Sequence, residues 1–343
     1  MRSKINGGCS ALTLGLGLLF LAILACRSTN QPKAPSWTKA KVLSANEDHP
    51  SKIVSDGAAV YFVTGGTVAS MNEGTNNIKR ISLSDGAVTI LVKGGKQIPE
   101  ATLAVDDKYL YWSDGGNILR VTKTGGASER IIPNAPQPSE MVLDDANIYW
   151  LIWTGEGSPP QPIMYAPKKG GEAKQLTPPQ PPTTGLCLDG DSLYFMTGDG
   201  LKKVPRAGGP IADAYRNPST TPTLQLQQDA DSFYFCQMDT WGHSALMNLN
   251  KKTGDVKELA SINHTMEFAV SDGWVYHFHD VAGEGSFGPV VLLRVATSGG
   301  YVVELDQGNA GWIKHLAVDD KQVYFTDISK VYAVPKRHPL SPP

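Results

Sequence analysis

Residues 102–132, TLAVDDKYLYWSDGGNILRVTKTGGASERII, contain four short β-prone runs separated by tight turns. Thr102–Val105 is apolar and Tyr109–Trp112 is aromatic, while Asn117–Thr122 and Ala127–Ile132 each follow a Gly–Gly pair. Aromatic and β-branched residues favour strands, and Asp, Ser and Gly favour the turns between them. The stretch therefore predicts one antiparallel sheet of four strands.

The same pattern recurs along the chain, and a tyrosine after an apolar run and an Asp-rich turn marks each copy. Successive tyrosines are 50, 38, 45, 40, 42 and 48 residues apart. They are Tyr61, Tyr111, Tyr149, Tyr194, Tyr234, Tyr276 and Tyr324. A four-stranded unit of this length is typical of a propeller blade. The sequence predicts an all-β chain with a single β-propeller of seven four-stranded blades, although the long first unit leaves six or eight open.

The two ends of the repeat region predict how the ring closes. The last repeat supplies only three strands before the chain ends in KRHPLSPP (336–343), and a strand-like segment, Thr38–Leu43, precedes the first repeat. We expect this N-terminal strand to complete the last blade, since closure removes an exposed sheet edge. The fifth repeat interrupts the apolar pattern of the innermost strands with Leu224–Gln228, which predicts a less tightly packed blade.

The N-terminus has the features of a bacterial targeting segment. A short basic region precedes Ala11–Ala25, an apolar run that is short for a membrane span. Ile23–Cys26 resembles a lipobox, in which the cysteine is lipidated; an ordinary secretory signal and an uncleaved anchor are the alternatives. We predict a lipoprotein signal peptide at 1–25, lipidated Cys26 with a flexible tether at 26–36, and the propeller domain at 37–343.

Composition limits the function classes. Hydrophobic residues make up 41% and charged residues 19%, as in folded proteins, and a net charge of −2 argues against nucleic-acid binding. The predicted anchor places the protein in the cell envelope, on the periplasmic or cell-surface side. In that oxidising compartment Cys187 and Cys236 either pair or remain two separate buried thiols.

Two repeats resemble a known family pattern. Tyr111–Asp114, followed by Ile118–Val121 and Gly125–Gly126, is similar to the repeat of YWTD propellers of the low-density-lipoprotein-receptor-like type, and Tyr324–Asp327 matches again. The resemblance covers roughly residues 51–337. Because YWTD domains typically have six blades, the chain looks like a bacterial relative of the wider group that includes NHL and Tol-system propellers. That group implies binding more often than catalysis.

The two faces of the predicted ring differ. Turns between strands one and two, and three and four, are short and lie on what we call the short-turn face. Connections between strands two and three, and between blades, are long and irregular and lie on the opposite, long-connection face, where function usually resides. Three tryptophans fall in or beside these connections and either bind a protein or a sugar or cap the core. They are Trp153, Trp241 and Trp312.

A polar ring is predicted where the channel opens on the long-connection face. The residues nine positions before the repeat tyrosines begin the innermost strands there. They are Lys52, Thr102, Glu140, Gly185, Gln225, Glu267 and His315. Glu140, Gln225, Glu267 and His315 are candidates for binding a cation or a polar ligand; a solvated rim would also be polar.

Two further motifs provide weaker evidence for a binding site. His277 and His279 alternate on one strand beside Asp280, and such a pair can share a metal, although half-buried strand histidines are commoner. The GxGxxG match at 283–288 precedes a strand rather than a helix, so it predicts no phosphate site. We found no HExxH, GxSxG or Walker pattern.

The function predicted from these features is that of a non-catalytic cell-envelope lipoprotein that binds a protein partner or a glycan through its long-connection face. No cofactor is expected. The alternative is a metal-dependent hydrolase, lactonase or lyase at the channel mouth, with Ca²⁺ or Mg²⁺ as the metal.

Overall fold

The structure is a computed structural model, and it describes residues 40–65, 76–95, 103–114, 116–152, 158–218, 223–238, 244–262, 267–280, 290–300, 302–307 and 315–336. Contacts divide the chain into Met1–Trp37, which lies outside these ranges, and Thr38–Pro343. The described part of the second unit is all-β and forms seven four-stranded antiparallel sheets. First strands of successive sheets contact each other around a ring. The predicted seven-bladed propeller is confirmed.

The strands follow the repeats, and each blade runs in chain order from its innermost to its outermost strand. The chain enters through β1 (Lys41–Ala45), which belongs to blade 7. Blade 1 contains β2 (Ser51–Ser55), β3 (Ala59–Thr64), β4 (Asn76–Ser82) and β5 (Val88–Gly95). Blade 2 contains β6 (Ala104–Val105), β7 (Tyr109–Ser113), β8 (Ile118–Thr122) and β9 (Glu129–Ile132). Blade 3 contains β10 (Pro138–Leu143), β11 (Asn147–Ile152), β12 (Met164–Pro167) and β13 (Lys174–Gln175).

The second half of the ring has the same order. Blade 4 contains β14 (Thr183–Asp189), β15 (Ser192–Thr197), β16 (Gly200–Pro205) and β17 (Ala212–Arg216). Blade 5 contains β18 (Thr223–Gln228), β19 (Ser232–Met238), β20 (Ser244–Asn250) and β21 (Val256–Ser261). Blade 6 contains β22 (Phe268–Ser271), β23 (Trp274–Asp280), β24 (Val290–Ala296) and β25 (Val302–Gln307). Blade 7 contains β26 (Leu316–Val318), β27 (Gln322–Thr326), β28 (Lys330–Pro335) and β1.

The N-terminal strand closes the ring, as predicted. β1 pairs antiparallel with β28 and is the outermost strand of blade 7, although it spans Lys41–Ala45 rather than Thr38–Leu43. The connection that follows β1 joins blades 7 and 1: the Glu47 amide donates to the Ser329 carbonyl at 2.9 Å, and the Glu47 carboxylate pairs with Lys79 at 2.6 Å. Hydrogen bonds and an ion pair therefore stabilise the seam between the first and last blades.

The core consists of apolar clusters between neighbouring blades. In every blade the repeat tyrosine pairs with the residue seven positions earlier. The tyrosine side chain packs toward the following blade, and the aromatic residue after it packs toward the preceding blade. Those aromatics, each at most 1% exposed, are Phe62, Trp112, Trp150, Phe195, Phe235 and Phe325. The repeated Tyr–aromatic pair thus builds both sides of the inter-blade core.

An aspartate five residues before the tyrosine organises the first turn of five blades. In blade 2, Asp106 Oδ1 accepts hydrogen bonds from the backbone amides of Lys108 and Tyr109 at 2.9 and 2.8 Å, and Asp106 Oδ2 accepts one from the Tyr111 hydroxyl at 2.9 Å. The same contacts occur at Asp56, Asp144, Asp229 and Asp319. The Asp-rich turn is therefore a structural part of the repeat.

A basic residue after the third strand of the next blade often completes this arrangement. Lys168 Nζ of blade 3 lies 2.7 Å from Asp106 Oδ2 of blade 2. Equivalent ion pairs join Lys123 to Asp56, Arg206 to Asp144, Lys251 to Asp189 and Lys336 to Asp272. These contacts link successive blades on the short-turn face.

The Asp106 carboxylate gives a pH-dependent prediction. Burial acts to raise the pKa of Asp106, but the ion pair with Lys168 and the hydrogen bonds outweigh it and lower the pKa to about 2 from 3.8. A carboxyl whose folded pKa is depressed stabilises the fold above the unfolded pKa and loses that contribution as pH falls through the folded value. We expect Asp106→Asn to lower the free energy of unfolding by about 2 kcal/mol at pH 7.

Urea titrations at several pH values would measure this effect. The difference between wild type and Asp106→Asn should shrink as pH falls from about 4 to about 2. Asp107→Asn is the matched control, because Asp107 is exposed and adjacent. A difference of equal size at every pH would show that the carboxylate charge does not contribute.

Blade 5 corrects one expectation. Its interior is fully buried at Phe235, Cys236 and Leu246, so the blade is not loosely packed. The Gln227 side chain donates to the Phe268 carbonyl at 2.6 Å and accepts from the Val270 amide at 2.9 Å, both on the innermost strand of blade 6. The innermost strands of neighbouring blades do not pair with each other in a β-ladder. The side-chain amide of a glutamine can therefore form hydrogen bonds with backbone groups that an apolar side chain would leave without a partner.

The two cysteines of the domain form no disulfide. Cys187 packs in the cluster between blades 4 and 5, and Cys236 packs in the cluster between blades 5 and 6. Burial raises the pKa of Cys187 to about 12. The alternative of two separate buried thiols is the one that the structure shows.

None of the residues that the structure describes forms a helix long and apolar enough to cross a membrane.

Candidate functional site

The predicted ring of residues lies where the innermost strands begin. Each ring member lies two residues before the residue that pairs with the repeat tyrosine. It is therefore nearer to the long-connection face. The ladder bulges at three of them, Lys52, Gly185 and Gln225. Bulges often redirect side chains beside functional sites. Thr102 lies outside the described residues.

Glu140 links two blades at this mouth. Its two carboxylate oxygens accept hydrogen bonds from the backbone amides of Gly185 and Leu186 in blade 4, at 3.1 and 2.9 Å. Burial raises the pKa of Glu140, and the two amides and the charge of Lys52 offset this only in part. The charge of Glu267, on blade 6, raises it further. Charges from blades 1, 3 and 6 therefore influence one another at the channel mouth.

Glu267 and His315 form the second contact of the mouth. His315 Nδ1 lies 3.3 Å from Glu267 Oε1. Burial acts to raise the pKa of Glu267, but hydrogen bonds from His315 and Gln225, together with the charge of Lys52, outweigh it and lower the pKa. Glu267 is thus held as a carboxylate by hydrogen bonds from blades 5 and 7, and the charge of Lys52 on blade 1 adds to the effect.

Gln225 occupies an unusual backbone conformation at its bulge. Its φ is +51°, a region that L-residues other than Asn and Asp rarely adopt. From there its side-chain oxygen accepts a hydrogen bond from the Phe268 amide at 3.3 Å. Strained residues persist where surrounding contacts hold them and are concentrated at functional sites. The structure brings Gln225, Glu267 and His315 together, with Glu140 interacting across the mouth.

Lys52 is the functional candidate that sequence reasoning passed over. The count of nine residues reaches it, but a lone lysine at the start of a strand reads like an ordinary exposed cation. Its charge acts on both Glu140 and Glu267. Only the closed ring, which brings blade 1 beside blade 7, reveals this relation.

Several residues of the predicted site lie outside the part of the chain that the structure describes. Cys26, Trp153, Trp241 and Trp312 lie outside the described residues, as does the segment 283–288. Within the described ranges, no group of three or more His, Cys, Asp or Glu side chains is arranged to hold a metal ion. At the mouth, Glu140 already accepts two amide hydrogen bonds, so the described residues do not fit a metal centre there.

The short-turn face contains open clefts that the sequence did not predict. One of about 670 Å³ lies between blades 2 and 3 and is lined by Tyr109, Arg120 and Lys168 among others. A second of about 480 Å³ lies between blades 3 and 4. The main charges lining the first cleft are already paired: Lys168 with Asp106, and Arg120 with Glu129 at 2.7 Å. The Lys168–Asp106 pair joins blades 2 and 3, whereas Arg120 and Glu129 both belong to blade 2; Arg120 reaches blade 3 by donating to the Lys168 carbonyl at 3.0 Å.

His277 is one of two buried polar residues on the described strands of blade 6; the other is Arg294. His277 is 1% exposed, and burial lowers its pKa to about 4. Its Nδ1 lies 3.2 Å from the Phe278 carbonyl oxygen. The sequence identified the pair His277 and His279, and the structure places both on β23.

Comparison with solved structures supports the architecture. An oligogalacturonate lyase in complex with manganese is 13% identical, with a TM-score of 0.65 over 89% of this chain and 95% of that one. Virginiamycin B lyase from Staphylococcus aureus is 14% identical, with a TM-score of 0.61 over 86% and 97%. The GH74 enzyme of Niastella koreensis is 13% identical, with a TM-score of 0.62 over 86% and 53%. Identities this low show the fold alone.

No protein-family model matches the sequence, and no curated protein matches it either. The comparisons confirm the propeller architecture that the resemblance to YWTD, NHL and Tol-system propellers implies, and they do not show the family. The fold is compatible with both binding and catalysis, and a manganese-bound propeller exists among the similar structures.

Proposed function

We propose that this chain is a cell-envelope lipoprotein, anchored through Cys26, whose propeller binds a glycan at the channel mouth on its long-connection face. The observation that carries the proposal is the polar ring at the mouth, in which Gln225, Glu267 and His315 form hydrogen bonds between blades and the charge of Lys52 acts on Glu267. Carboxylate, amide, imidazole and ammonium groups provide hydrogen-bond donors and acceptors suited to sugar hydroxyls.

Pre-organisation supports a binding role. Glu267 is held by His315 and Gln225, and Glu140 is held by two backbone amides, so little side-chain ordering remains for a ligand to impose. The oligogalacturonate lyase described above has the same fold, and its name indicates an oligosaccharide substrate. A protein partner would instead use the wider long-connection face, where the three tryptophans are predicted.

One observation favours a second candidate, a hydrolase or lyase at the same mouth. The pKa values of Glu140 and Glu267 are displaced in opposite directions, upward and downward. Environments that separate two carboxyl pKa values are typical of acid–base pairs. Binding is preferred because both oxygens of Glu140 are occupied by blade 4 amides, which removes the proton donor from direct reach of a ligand.

The test is binding of the soluble domain, residues 38–343, to a glycan array, followed by calorimetry with the best ligand. We expect Glu267→Gln and Lys52→Ala to weaken binding at least about tenfold, equivalent to about 1.4 kcal/mol. Glu172→Gln, at an exposed turn of blade 3, is the matched control and should bind like wild type.

Two outcomes would contradict the proposal. If the folded domain binds no glycan but captures an envelope protein in a way that Glu267→Gln leaves unchanged, the protein-partner function replaces it. If the bound glycan is converted to products, and Glu140→Gln abolishes conversion while binding persists, the mouth is an active site instead.

A further inference from the structure

His277 departs from a rule that the other six blades follow. The residue after the repeat tyrosine is Phe or Trp in those blades and fills the interface with the preceding blade. In blade 6 it is His277, which is equally buried at 1% exposure. Val275, two residues earlier on the same strand, packs against blade 5, so His277 lies on the blade 5 side.

The hydrogen bonding of His277 determines which ring nitrogen carries a lone pair. A carbonyl oxygen can only accept, so the 3.2 Å contact between Nδ1 and the Phe278 oxygen requires a proton on Nδ1. Nε2 of the neutral ring is then an acceptor. It is buried, and no described residue donates to it. A buried polar atom without a partner is destabilising, and phenylalanine at this position would not incur that cost.

His279 repeats this feature on the same side of β23. Residues two apart on a strand point to the same face, and His279 lies close enough to influence the charge state of His277. The Nδ1 atom of His279 is also buried and has no hydrogen-bond partner among the described residues. Two imidazole nitrogens on the same side of β23 are therefore buried without a hydrogen-bond partner among the described residues.

The tautomer of His277 is the one found in metal sites. Histidines that bind metals usually donate their other ring N–H to a backbone carbonyl or carboxylate, which orients the ring and raises its basicity. Neutral imidazole suits zinc, copper, nickel and cobalt rather than calcium or magnesium. The channel-mouth carboxylates are not needed for such an ion.

We propose that His277 Nε2 and His279 Nδ1 bind one divalent first-row transition-metal ion between blades 5 and 6. The described residues provide no third His, Cys, Asp or Glu for such a group, so water completes the coordination. Both ligands belong to β23 of blade 6, and the site uses none of the residues of the proposed glycan site.

The experiment uses the soluble domain, residues 38–343, stripped with a chelator and titrated with Co²⁺ and Zn²⁺. We expect one Co²⁺ per chain with visible absorption typical of nitrogen ligands, displacement by Zn²⁺, and a metal-dependent rise in Tm. His277→Phe and His279→Gln should each weaken Co²⁺ binding at least about tenfold. His49→Gln, at an exposed histidine, is the matched control and should not.

A second measurement on His277→Phe distinguishes the loss of a metal site from a general loss of folding. It restores the aromatic residue of the other blades, so the metal-free variant should fold with an equal or higher Tm and should no longer respond to metal. Should it fail to fold, His279→Gln makes the same test.

Three results would overturn the proposal: no Co²⁺ binding by wild type, Co²⁺ binding retained in both variants, or binding lost in Glu267→Gln, which would place the ion at the mouth. Glycan binding by His277→Phe should equal that of wild type, so the failure of one proposal leaves the other testable.

Discussion

A domain that begins at Glu47 instead of Thr38 should lose at least about 4 kcal/mol of folding free energy. The truncation removes β1 and with it the ladder to β28, in which backbone hydrogen bonds contribute about 1 kcal/mol each. It also removes Leu43, which packs in the cluster between blades 1 and 7 and contributes about 2 kcal/mol. Typical domains have a stability of only about 5–15 kcal/mol, so the loss is severe.

The truncation also exposes β28 as a new sheet edge. Unpaired edges promote association, so the shortened domain should elute as oligomers as well as melt earlier. Urea unfolding and size-exclusion chromatography would measure both effects. Val42→Thr is the control on β1 itself, because Val42 is 44% exposed and its change should cost no more than about 0.5 kcal/mol.

Equal stability of the two domains would mean that the ring closes without β1. A milder variant tests the same seam. Glu47→Gln removes a charge whose side chain is 4% exposed beside Lys79, and loss of a buried pair member is destabilising. If neither change lowers stability, the N-terminal closure does not support the fold.

Gly200→Ala should strongly destabilise blade 4. Gly200 has a φ of +137°, which L side chains rarely adopt, and an added Cβ would lie 2.1 Å from the Tyr215 carbonyl oxygen and 2.9 Å from the Asn217 amide nitrogen. A third contact would be with the Arg216 Cα at 3.0 Å, and because all three involve backbone, β16 and β17 would have to separate. Strain and overpacking of this kind each cost about 1–3 kcal/mol, so we expect a loss of at least about 3 kcal/mol.

Gly198→Ala, two residues away in the same turn, provides the comparison. A Cβ at Gly198 meets nothing within 4 Å, so its effect should stay within about 1 kcal/mol. Denaturant midpoints of the two variants, measured side by side, decide the matter. Similar destabilisation by both would mean that β17 is not held against β16 as the structure shows.

The blades could be predicted because the signals that specify them are local. Each tyrosine, its aspartate and its neighbouring aromatic lie within a few residues, and they recur at the spacing of a blade. The role of the aspartate was less obvious, because Asp106 appears in sequence as an ordinary turn residue and only the fold shows it accepting from Tyr111 and Lys168. Local pattern therefore identified the repeat but not the contacts that stabilise it.

The channel mouth could be predicted in outline and not in detail. Counting back from the tyrosines found Glu140, Glu267 and His315, since ladder register fixes those positions. The left-handed bulge at Gln225 and the effect of Lys52 on the pKa values of Glu140 and Glu267 depend on how adjacent blades pack. The sequence of a single strand does not specify this packing. The same limitation explains the glutamines of blade 5, whose partners belong to blades 4 and 6.

A crystal structure of the domain 38–343 soaked with its best glycan tests the central claim most directly. The account predicts sugar density at the channel mouth, in hydrogen-bond contact with Glu267 and at least one of Lys52, Gln225 and His315. Ordered sugar in the cleft between blades 2 and 3 on the short-turn face, with the mouth holding only water, would contradict it.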